Sequence, residues 1–425
     1  MRVAVIGAGI VGVTTAFELA RDGHQVTVLE RRGSVAEETS FANAGVVAPG
    51  YVTPWAAPGM PAKVLKHLFS RHAPVRLGWP MAPGQLGWLW RWWRACRAPV
   101  FAVNRERLYR LAQYSQQRLR ALTHDLHLDH EQAPGYLVLL RTAQDLKLAR
   151  GSLKLLAELG VNFHLVDAAR ARQVEPGLNP AMPLHAAVHL PNDEVGNCRQ
   201  FAHLLRGEAQ ALGAVFRFNR TVRSLGTGAT PVVTHQATGT TEAAQQDEFD
   251  AIVVCAALGA TALLRPLGLR LPLAPVFGYS ISAPLRQVEG YPQLGPAAGV
   301  MDEKYKVAIS RLGQRVRVAG SAELGGRLAT LDDAALQTLH KVLDDWYPGC
   351  AQRGQVQRWK GARPMLPDGP PVLGPSGAPG VWLNLGHGSS GWALACGSAR
   401  VLADQIAGRA PAIDVSGLDV ARLTR

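Results

Sequence analysis

Apolar residues open the chain in short unbroken runs, the pattern of parallel strands buried on both faces. The first run is Val3-Ala4-Val5-Ile6, and a second lies in Gln25-Val26-Thr27-Val28-Leu29. Between them, residues 13–21 are amphipathic at helical spacing, so the first thirty residues predict strand, helix and strand. Residues 250–260 repeat the theme: Ala251-Ile252-Val253-Val254 predicts a buried strand running into a turn of small residues, Ala256 to Gly259. Helical periodicity predicts helices over 104–126, 143–159, 199–212, 331–346 and 393–406, with Gly160 and Gly213 at two of the stops. Strands are expected at 136–140, 161–166 and 215–218, and a hairpin rich in Gly, Thr and Gln at 226–248. Alternation at 276–282, 304–311 and 315–319 predicts an antiparallel sheet. A proline-rich connection (Pro176, Pro180, Pro183) leads to His189-Leu190-Pro191-Asn192-Asp193-Glu194, and residues 361–369 and 382–392 read as glycine-rich turns.

Composition narrows the class. A chain of 425 residues, 47% hydrophobic, buries a large core and is expected to form two domains. Its five cysteines show no C-x-x-C pair or metal spacing, which suits a reducing compartment and predicts no structural metal. Three glycines and Glu18 interrupt the apolar start, against the continuous run of a cleavable secretory signal. No run is long enough for a membrane-spanning helix. The net charge of +13 still calls for a partner. No nucleic-acid-binding pattern is present, so nucleic acid is not expected; an anionic membrane surface is the remaining candidate. Residues 79–94 sharpen that question, because Trp79, Trp88, Trp90, Trp92 and Trp93 are interspersed with Arg91 and Arg94. Both an interfacial helix and a tryptophan-rich core helix fit this stretch.

The candidate chemistry begins at Gly7-Ala8-Gly9-Ile10-Val11-Gly12, between the first strand and the first helix. Glycines there make a tight turn and let the backbone approach a pyrophosphate, and the helix start provides N–H groups and a positive dipole end. Glu30 closes the second strand, where an acid grips a ribose hydroxyl, with Arg31 beside it. The loop Thr39-Ser40-Phe41-Ala42-Asn43-Ala44-Gly45 reads as a wrap around the cofactor or as a surface turn; its cofactor candidates are Ser40, Asn43, Ala44 and Gly45. Val222, Ala256 and Gly259 join the candidate set near the later strand ends. Gly386, His387, Gly388 and Ser389 form a further turn entering a helix, whose N–H groups suit negative charge on a reduced flavin ring. No second G-x-G-x-x-G occurs, which favours one flavin nucleotide over a two-nucleotide reductase.

Taken together, residues 7–12 and 39–45, Pro191-Asn192-Asp193-Glu194, Gly278-Tyr279-Ser280, Lys304-Tyr305-Lys306, Arg363-Pro364-Met365 with Pro367-Asp368-Gly369, and Leu383-Asn384-Leu385-Gly386-His387-Gly388 carry a resemblance. The chain resembles the bacterial D-amino-acid dehydrogenases of the D-amino-acid oxidase and glycine oxidase superfamily. The resemblance implies an α/β fold (α+β overall): a Rossmann-like FAD-binding domain of the D-amino-acid oxidase type with a second antiparallel-sheet substrate domain. The implied FAD-binding parts are 1–78, 189–272 and 356–425, and the substrate parts 79–188 and 273–355. It further implies non-covalent FAD, since no cysteine lies between Cys350 and Cys396. The expected reaction is oxidation of a D-amino acid to an imino acid, which hydrolyses to a 2-oxo acid and ammonia. Electrons are expected to pass to a quinone or other membrane acceptor, with the protein peripheral on the cytoplasmic side of the bacterial inner membrane.

Arg363 is the expected carboxylate ligand, because a guanidinium grips a carboxylate bidentately. Tyr279 and Tyr305 are candidates for a hydroxyl to the carboxylate or for core packing, and His387 for a cofactor contact ahead of a general base. Two other readings stay open: dehydrogenation of a secondary amine such as D-hydroxyproline or sarcosine, and a catalytically silent flavin-binding assembly protein.

Overall fold

In the computed structural model, which describes residues 1–67, 72–81, 83–290 and 294–424, the strands predicted at 3–6, 25–29, 215–218 and 251–254 join Val372–Pro375, an unexpected strand, and Val381–Leu385, read as part of a turn, in one six-stranded sheet. Its order is Val372–Pro375, Val381–Leu385, Ala251–Val254, Arg2–Ile6, Gln25–Leu29 and Val215–Arg217. All neighbours are parallel except the edge strand Val372–Pro375. Ile6 lies opposite both Leu29 and Val254, so the carboxyl ends of three strands meet at one edge of the sheet.

The central strands Ala251–Val254 and Arg2–Ile6 are buried on both faces, which is why their sequences do not alternate. Val3, Val5 and Val253 pack with Phe17, Phe201 and Leu402 from the helices Ile10–Arg21, Cys198–Ala211 and Gly391–Ile406. Ala4, Ile6 and Val254 face the other way, toward Leu225, Val233 and Leu264. Leu225 and Val233 belong to a separate three-stranded sheet, Arg220–Gly226, Val232–Ala237 and Gln245–Glu248, which occupies the predicted hairpin region.

Glu18 is the polar exception on the helix Ile10–Arg21. Its fully buried carboxylate meets Arg400 at 2.8 Å, Arg118 at 2.8 Å and Arg21 at 2.6 Å. Those partners tie the first helix to Gly391–Ile406 and to the 28-residue helix Ala98–Asp125. Arg400 also reaches Asp404 at 2.9 Å and pairs with Asp22.

The second large sheet has ten strands. Its main path is Gln357–Met365, Ala274–Pro284, Arg315–Gly325, Val307–Leu312, Gly299–Asp302, Ala133–Leu140, Ala186–Val195 and Val46–Val47. Val75–Gly78 and His164–Asp167 attach at the side. Most of its pairs are antiparallel, as expected for residues 276–319. Helix Asp333–Trp346 covers one face, with Leu336, Leu339 and Trp346 against Tyr279, Ile281 and Val318.

Several local expectations change. Residues 361–365, read as part of a turn, complete the edge strand Gln357–Met365, which pairs with Ala274–Pro284 from Gln357 to Met365. Pro364 is tolerated on an edge, and Gly361 is required because a Cβ there would sit 1.7 Å from the Trp359 ring. Residues 189–194, read as a connection, lie within Ala186–Val195; Pro191 falls where the pairing with Ala133–Leu140 shifts register. The strand expected from 304 begins at Val307, because residues 303–306 turn tightly with Lys306 at a φ of 53°. This sheet also draws Val46–Val47, Val75–Gly78 and Gln357–Met365 from stretches expected to belong with the cofactor.

The tryptophan-rich stretch forms the helix Pro83–Ala95 (Ala82 lies outside the described residues) and divides between its two readings. Trp88 and Trp92 are buried against Trp55, whereas Trp79, Trp90 and Trp93 are exposed.

Replacing Glu18 by Ala leaves Arg400 and Arg118 without their shared anion in a low-dielectric site. The variant is expected to lose on the order of 3 kcal/mol of unfolding free energy, measured by chemical denaturation.

Candidate active site

The aligned carboxyl ends of Arg2–Ile6, Gln25–Leu29 and Ala251–Val254 open onto a cleft of about 340 Å³. Gly7, Gly9, Glu30, Arg31, Ser40, Val222, Ala256 and Gly259 all line it. Two glycines are needed for the protein's own packing. Gly7 has a φ of 103°, and a Cβ there would sit 3.0 Å from the Cys255 carbonyl oxygen. A Cβ on Gly12 would sit 1.9 Å from the Gly7 carbonyl oxygen, so the helix lies directly against the turn.

Gly9 is different. The nearest protein atom to its Cβ position is the Ser40 Oγ, at an ordinary 3.5 Å. Nothing in the protein forbids a side chain there, and the position opens onto the cleft. Behind it, Ile10 and Val11 begin the helix. The Ile10 N–H donates to Ser40 Oγ at 3.1 Å, and the Val11 and Gly12 N–H groups have no intrahelical acceptor. Glu30 is held in the cleft wall by N–H donors from Ala8 at 2.7 Å and Arg32 at 2.8 Å. A glycine turn, an open helix start and an acid at the end of the second strand fit the pyrophosphate and ribose of FAD.

The cleft is also more basic than its motif predicts. Arg32, Arg220 and Arg223 line it beside Arg31. Arg31 and Arg32 pair with Glu38 at 2.6 and 2.9 Å. Arg220 and Arg223 had no signal in the sequence, because they come from a strand more than 180 residues away, Arg220–Gly226.

The loop 39–45 links the cleft to the second sheet. Ser40 faces the cleft. Thr39 Oγ1 donates to the Ala362 carbonyl at 2.6 Å, the Asn43 carbonyl accepts from Arg317 at 3.0 Å, and the Ala44 carbonyl accepts from Ser310 Oγ at 2.7 Å. Gly45, at a φ of 76°, accepts from the Gly196 N–H at 2.8 Å. Asn43, Ala44 and Gly45 thus tie the loop to the second sheet and are not among the residues that line the cleft.

Gly386, His387, Gly388 and Ser389 turn between Val381–Leu385 and Gly391–Ile406, at the same strand-end edge. Their turn bridges to Met365 through the His387 backbone. The His387 ring is buried and bonded to Ser398 Oγ at 2.9 Å, and burial pushes its pKa down to about 3. A ring so committed stays neutral at physiological pH and is a poor proton acceptor.

Arg363 occupies the edge strand two residues before Met365. Its guanidinium lies over Gly278, where a Cβ would sit 2.3 Å from Nη2. Nη1 donates to the Ser321 carbonyl at 3.0 Å. No carboxylate pairs with Arg363 among the described residues. Burial lowers its pKa to about 10, so it remains a cation at neutral pH. Ser321 adopts a φ of 58° beside a register shift opposite Phe277 and Tyr279, and that bulge turns its carbonyl toward Arg363. An enclosed guanidinium with one neutral acceptor leaves donors for a carboxylate. Ser321 could not be found from sequence, because a bulge in the left-handed region has no local signature at a serine.

Tyr279 and Tyr305 are not brought to Arg363. Side chains alternate along a strand, so Gly278 and Tyr279 face opposite sides of the sheet. Tyr279 Oη donates to Glu323, which also pairs with Lys360 at 2.7 Å. Burial, with Glu323 alongside, raises the Tyr279 pKa strongly. Tyr305 lies 5.0 Å beneath the Arg141 guanidinium, which bridges Asp302 at 2.6 Å and Asp345 at 2.8 Å. Both rings contribute to the core under Asp333–Trp346.

Comparison with known proteins bears on the whole chain. The model for FAD dependent oxidoreductases matches residues 2–405. A D-amino acid dehydrogenase from Cereibacter sphaeroides is 44% identical, covering 99% of this chain and 95% of its own length. One from Bradyrhizobium diazoefficiens is 41% identical, covering 99% of each. Among solved structures, glycine oxidase from Geobacillus kaustophilus matches with a TM-score of 0.75 at 19% identity, covering 99% of this chain and 98% of its own. L-proline dehydrogenase from P. horikoshii matches with a TM-score of 0.75 at 17% identity, covering 100% and 98%. At such identities the structural likeness concerns the fold alone.

Two substitutions separate the halves of the site. Gly12→Ala forces a backbone clash at the turn and is expected to yield protein lacking the yellow flavin absorbance after purification. Gly278→Ala displaces only the flexible end of Arg363. Its thermal unfolding is expected to stay near that of the parent protein, while its Kd for a competing carboxylate such as benzoate rises about tenfold or more.

Proposed function

The chain belongs to the FAD dependent oxidoreductase family, and on that premise we propose that it oxidises D-amino acids and passes the electrons to a quinone or other membrane acceptor. It is an FAD enzyme that oxidises amino acids. What supports a D-amino acid as substrate is the full-length similarity to proteins named D-amino acid dehydrogenase. The observation that carries the chemistry is the unpaired Arg363 guanidinium over Gly278.

In this reading the six-stranded sheet and its covering helices hold FAD, through the turn at Gly7 to Gly12, Glu30 and the Ser40 loop. The ten-stranded sheet carries the substrate side. When bound, FAD supplies the redox chemistry by accepting the hydride that leaves the substrate Cα. The chain supplies placement. Arg363 takes the α-carboxylate in its planar fork, and the Ser321 carbonyl holds the other side of the guanidinium. The position without a side chain at Gly278 lets that fork lie flat on the sheet. Fixing the carboxylate orients Cα, which is where a positioned substrate gains most.

No side chain is needed as a base, because the substrate amine reaches its neutral form by releasing a proton to water. His387, neutral and bonded to Ser398, serves the turn instead. The imino acid then hydrolyses in water to a 2-oxo acid and ammonia.

No described helix is long and apolar enough to cross a membrane. A membrane acceptor therefore implies contact at the surface, and we place the protein peripherally on the cytoplasmic side of the inner membrane.

Anaerobic mixing with D-alanine, L-alanine and D-proline in turn tests the reading through the flavin absorbance. Bleaching by D-isomers alone is expected. Bleaching only by a secondary amine moves the assignment to that substrate class, and bleaching by L-alanine alone overturns it. Arg363→Lys keeps the charge and removes the fork, and is expected to lower kcat/KM with a D-amino acid about a hundredfold.

A further inference from the structure

The helix Pro83–Ala95 presents two different faces. Trp88 and Trp92 are buried against Trp55, and Trp88 Nε1 donates to the Met365 carbonyl at 3.0 Å. That face packs into the core beside Met365 and Val276. The opposite face carries Leu86, Trp90 and Trp93, which are 66%, 55% and 61% exposed. Their i, i+4, i+7 spacing makes one apolar stripe about 10 Å long. Trp79, four residues before the helix, is 87% exposed. Three large exposed apolar side chains in register along one helix are not the scattered surface residues of an ordinary globular protein.

The segment of chain that carries the stripe has charge of a single sign. From residue 39 to residue 105 the sequence contains eight lysines and arginines and no aspartate or glutamate. Beside the stripe lies a groove of about 540 Å³, lined by Trp90, Arg91, Arg94 and Arg107 and floored in part by Pro367 and Leu423. Arg94 stacks on the Trp90 ring at 4.8 Å. None of Arg91, Arg94 and Arg107 pairs with a carboxylate among the described residues, and the groove's one acid, Asp368, is held by Arg422 at 2.9 Å.

We propose that this face docks onto an anionic lipid bilayer, with the Leu86, Trp90 and Trp93 stripe at the headgroup boundary and the groove arginines on lipid phosphates. Tryptophan suits that depth because its ring is apolar and its N–H is polar. Unpaired arginines beside it gain the negative surface potential of the bilayer, and an acid-free segment adds no repulsion. A 13-residue helix lies in the interface plane rather than across it. The docked helix holds, through Trp88, the strand that carries Arg363, so docking brings the substrate-binding edge to the membrane. This inference rests on the proposed membrane acceptor and supplies the surface that would reach it.

The test uses the FAD-loaded full chain and two separate readouts. Co-sedimentation is measured with vesicles of phosphatidylglycerol and of phosphatidylcholine, at low and high salt. Activity on a D-amino acid is measured with a soluble dye as acceptor. The protein is expected to bind phosphatidylglycerol vesicles, to leave them in high salt, and to ignore phosphatidylcholine. W90S/W93S and R91E/R94E are each expected to weaken vesicle binding about tenfold or more while dye-linked activity is unchanged. Absence of binding at low salt, or binding undiminished in both variants, overturns the proposal. So does a dimer that either variant dissociates, because the stripe would then be covered by a second copy. Dye-linked activity without vesicle binding sinks only the docking face; vesicle binding without activity on any D-amino acid sinks only the substrate reading.

Discussion

The first helix is seated directly against the turn before it, and the cleft depends on that contact. A Cβ on Gly12 would come within 1.9 Å of the Gly7 carbonyl oxygen. Only a hydrogen at that point lets the helix start sit over the strand ends. From this seating follow a helix start whose Val11 and Gly12 N–H groups have no intrahelical acceptor, the position of Ser40 on the Ile10 N–H, and Glu30 held by the Ala8 N–H. The buried Glu18 carboxylate, shared among three arginines, then locks the same helix to two others. The cofactor half of the molecule is organised by backbone proximity at one end of this helix and by charge at the other.

The second sheet carries an uncompensated charge at its edge. Arg363 is enclosed enough for its pKa to fall, yet its one hydrogen bond goes to a neutral carbonyl. Elsewhere in the second sheet, two enclosed cations are paired, and a third, Arg317, has only the Asn43 carbonyl among the described residues. Arg141 has Asp302 and Asp345, and Lys360 has Glu323. What sets Arg363 apart from Arg317 is its place over Gly278, and there we propose that its counter-charge arrives with a ligand. Ser321, in a backbone conformation that disfavours a side chain, supports it, which is how strain comes to sit beside a binding group.

The loop 39–45 couples the halves. Ser40 serves the cleft, while the carbonyls of Asn43 and Ala44 accept from Arg317 and Ser310 of the second sheet. Similarly, the turn from Gly386 to Ser389 leaves the first sheet and bridges to Met365 beside Arg363. The helix Pro83–Ala95 is held to that same strand by Trp88. Three separate segments thus converge on the strand Gln357–Met365, although it lies at the edge of its sheet.

Most of the cofactor half could be read from sequence because its constraints are local. Strand, glycine turn, helix and second strand lie within thirty residues, and an unbroken apolar run marks strands buried on both faces. The antiparallel second sheet, the main helices and the family were also recoverable, the last from motifs spread along the whole chain. Tertiary structure decided what depends on pairing between distant residues. Val276 lies opposite Arg363, 87 positions later, and that register puts the guanidinium over Gly278 while turning Tyr279 to the other face. Likewise, five tryptophans in one segment carry no sign of which belong to the core. Packing against Trp55 buried Trp88 and Trp92, and the helical repeat left Trp90 and Trp93 on the opposite side. Local sequence sets periodicity and turn geometry; which face of an element meets a partner is settled only when distant segments dock.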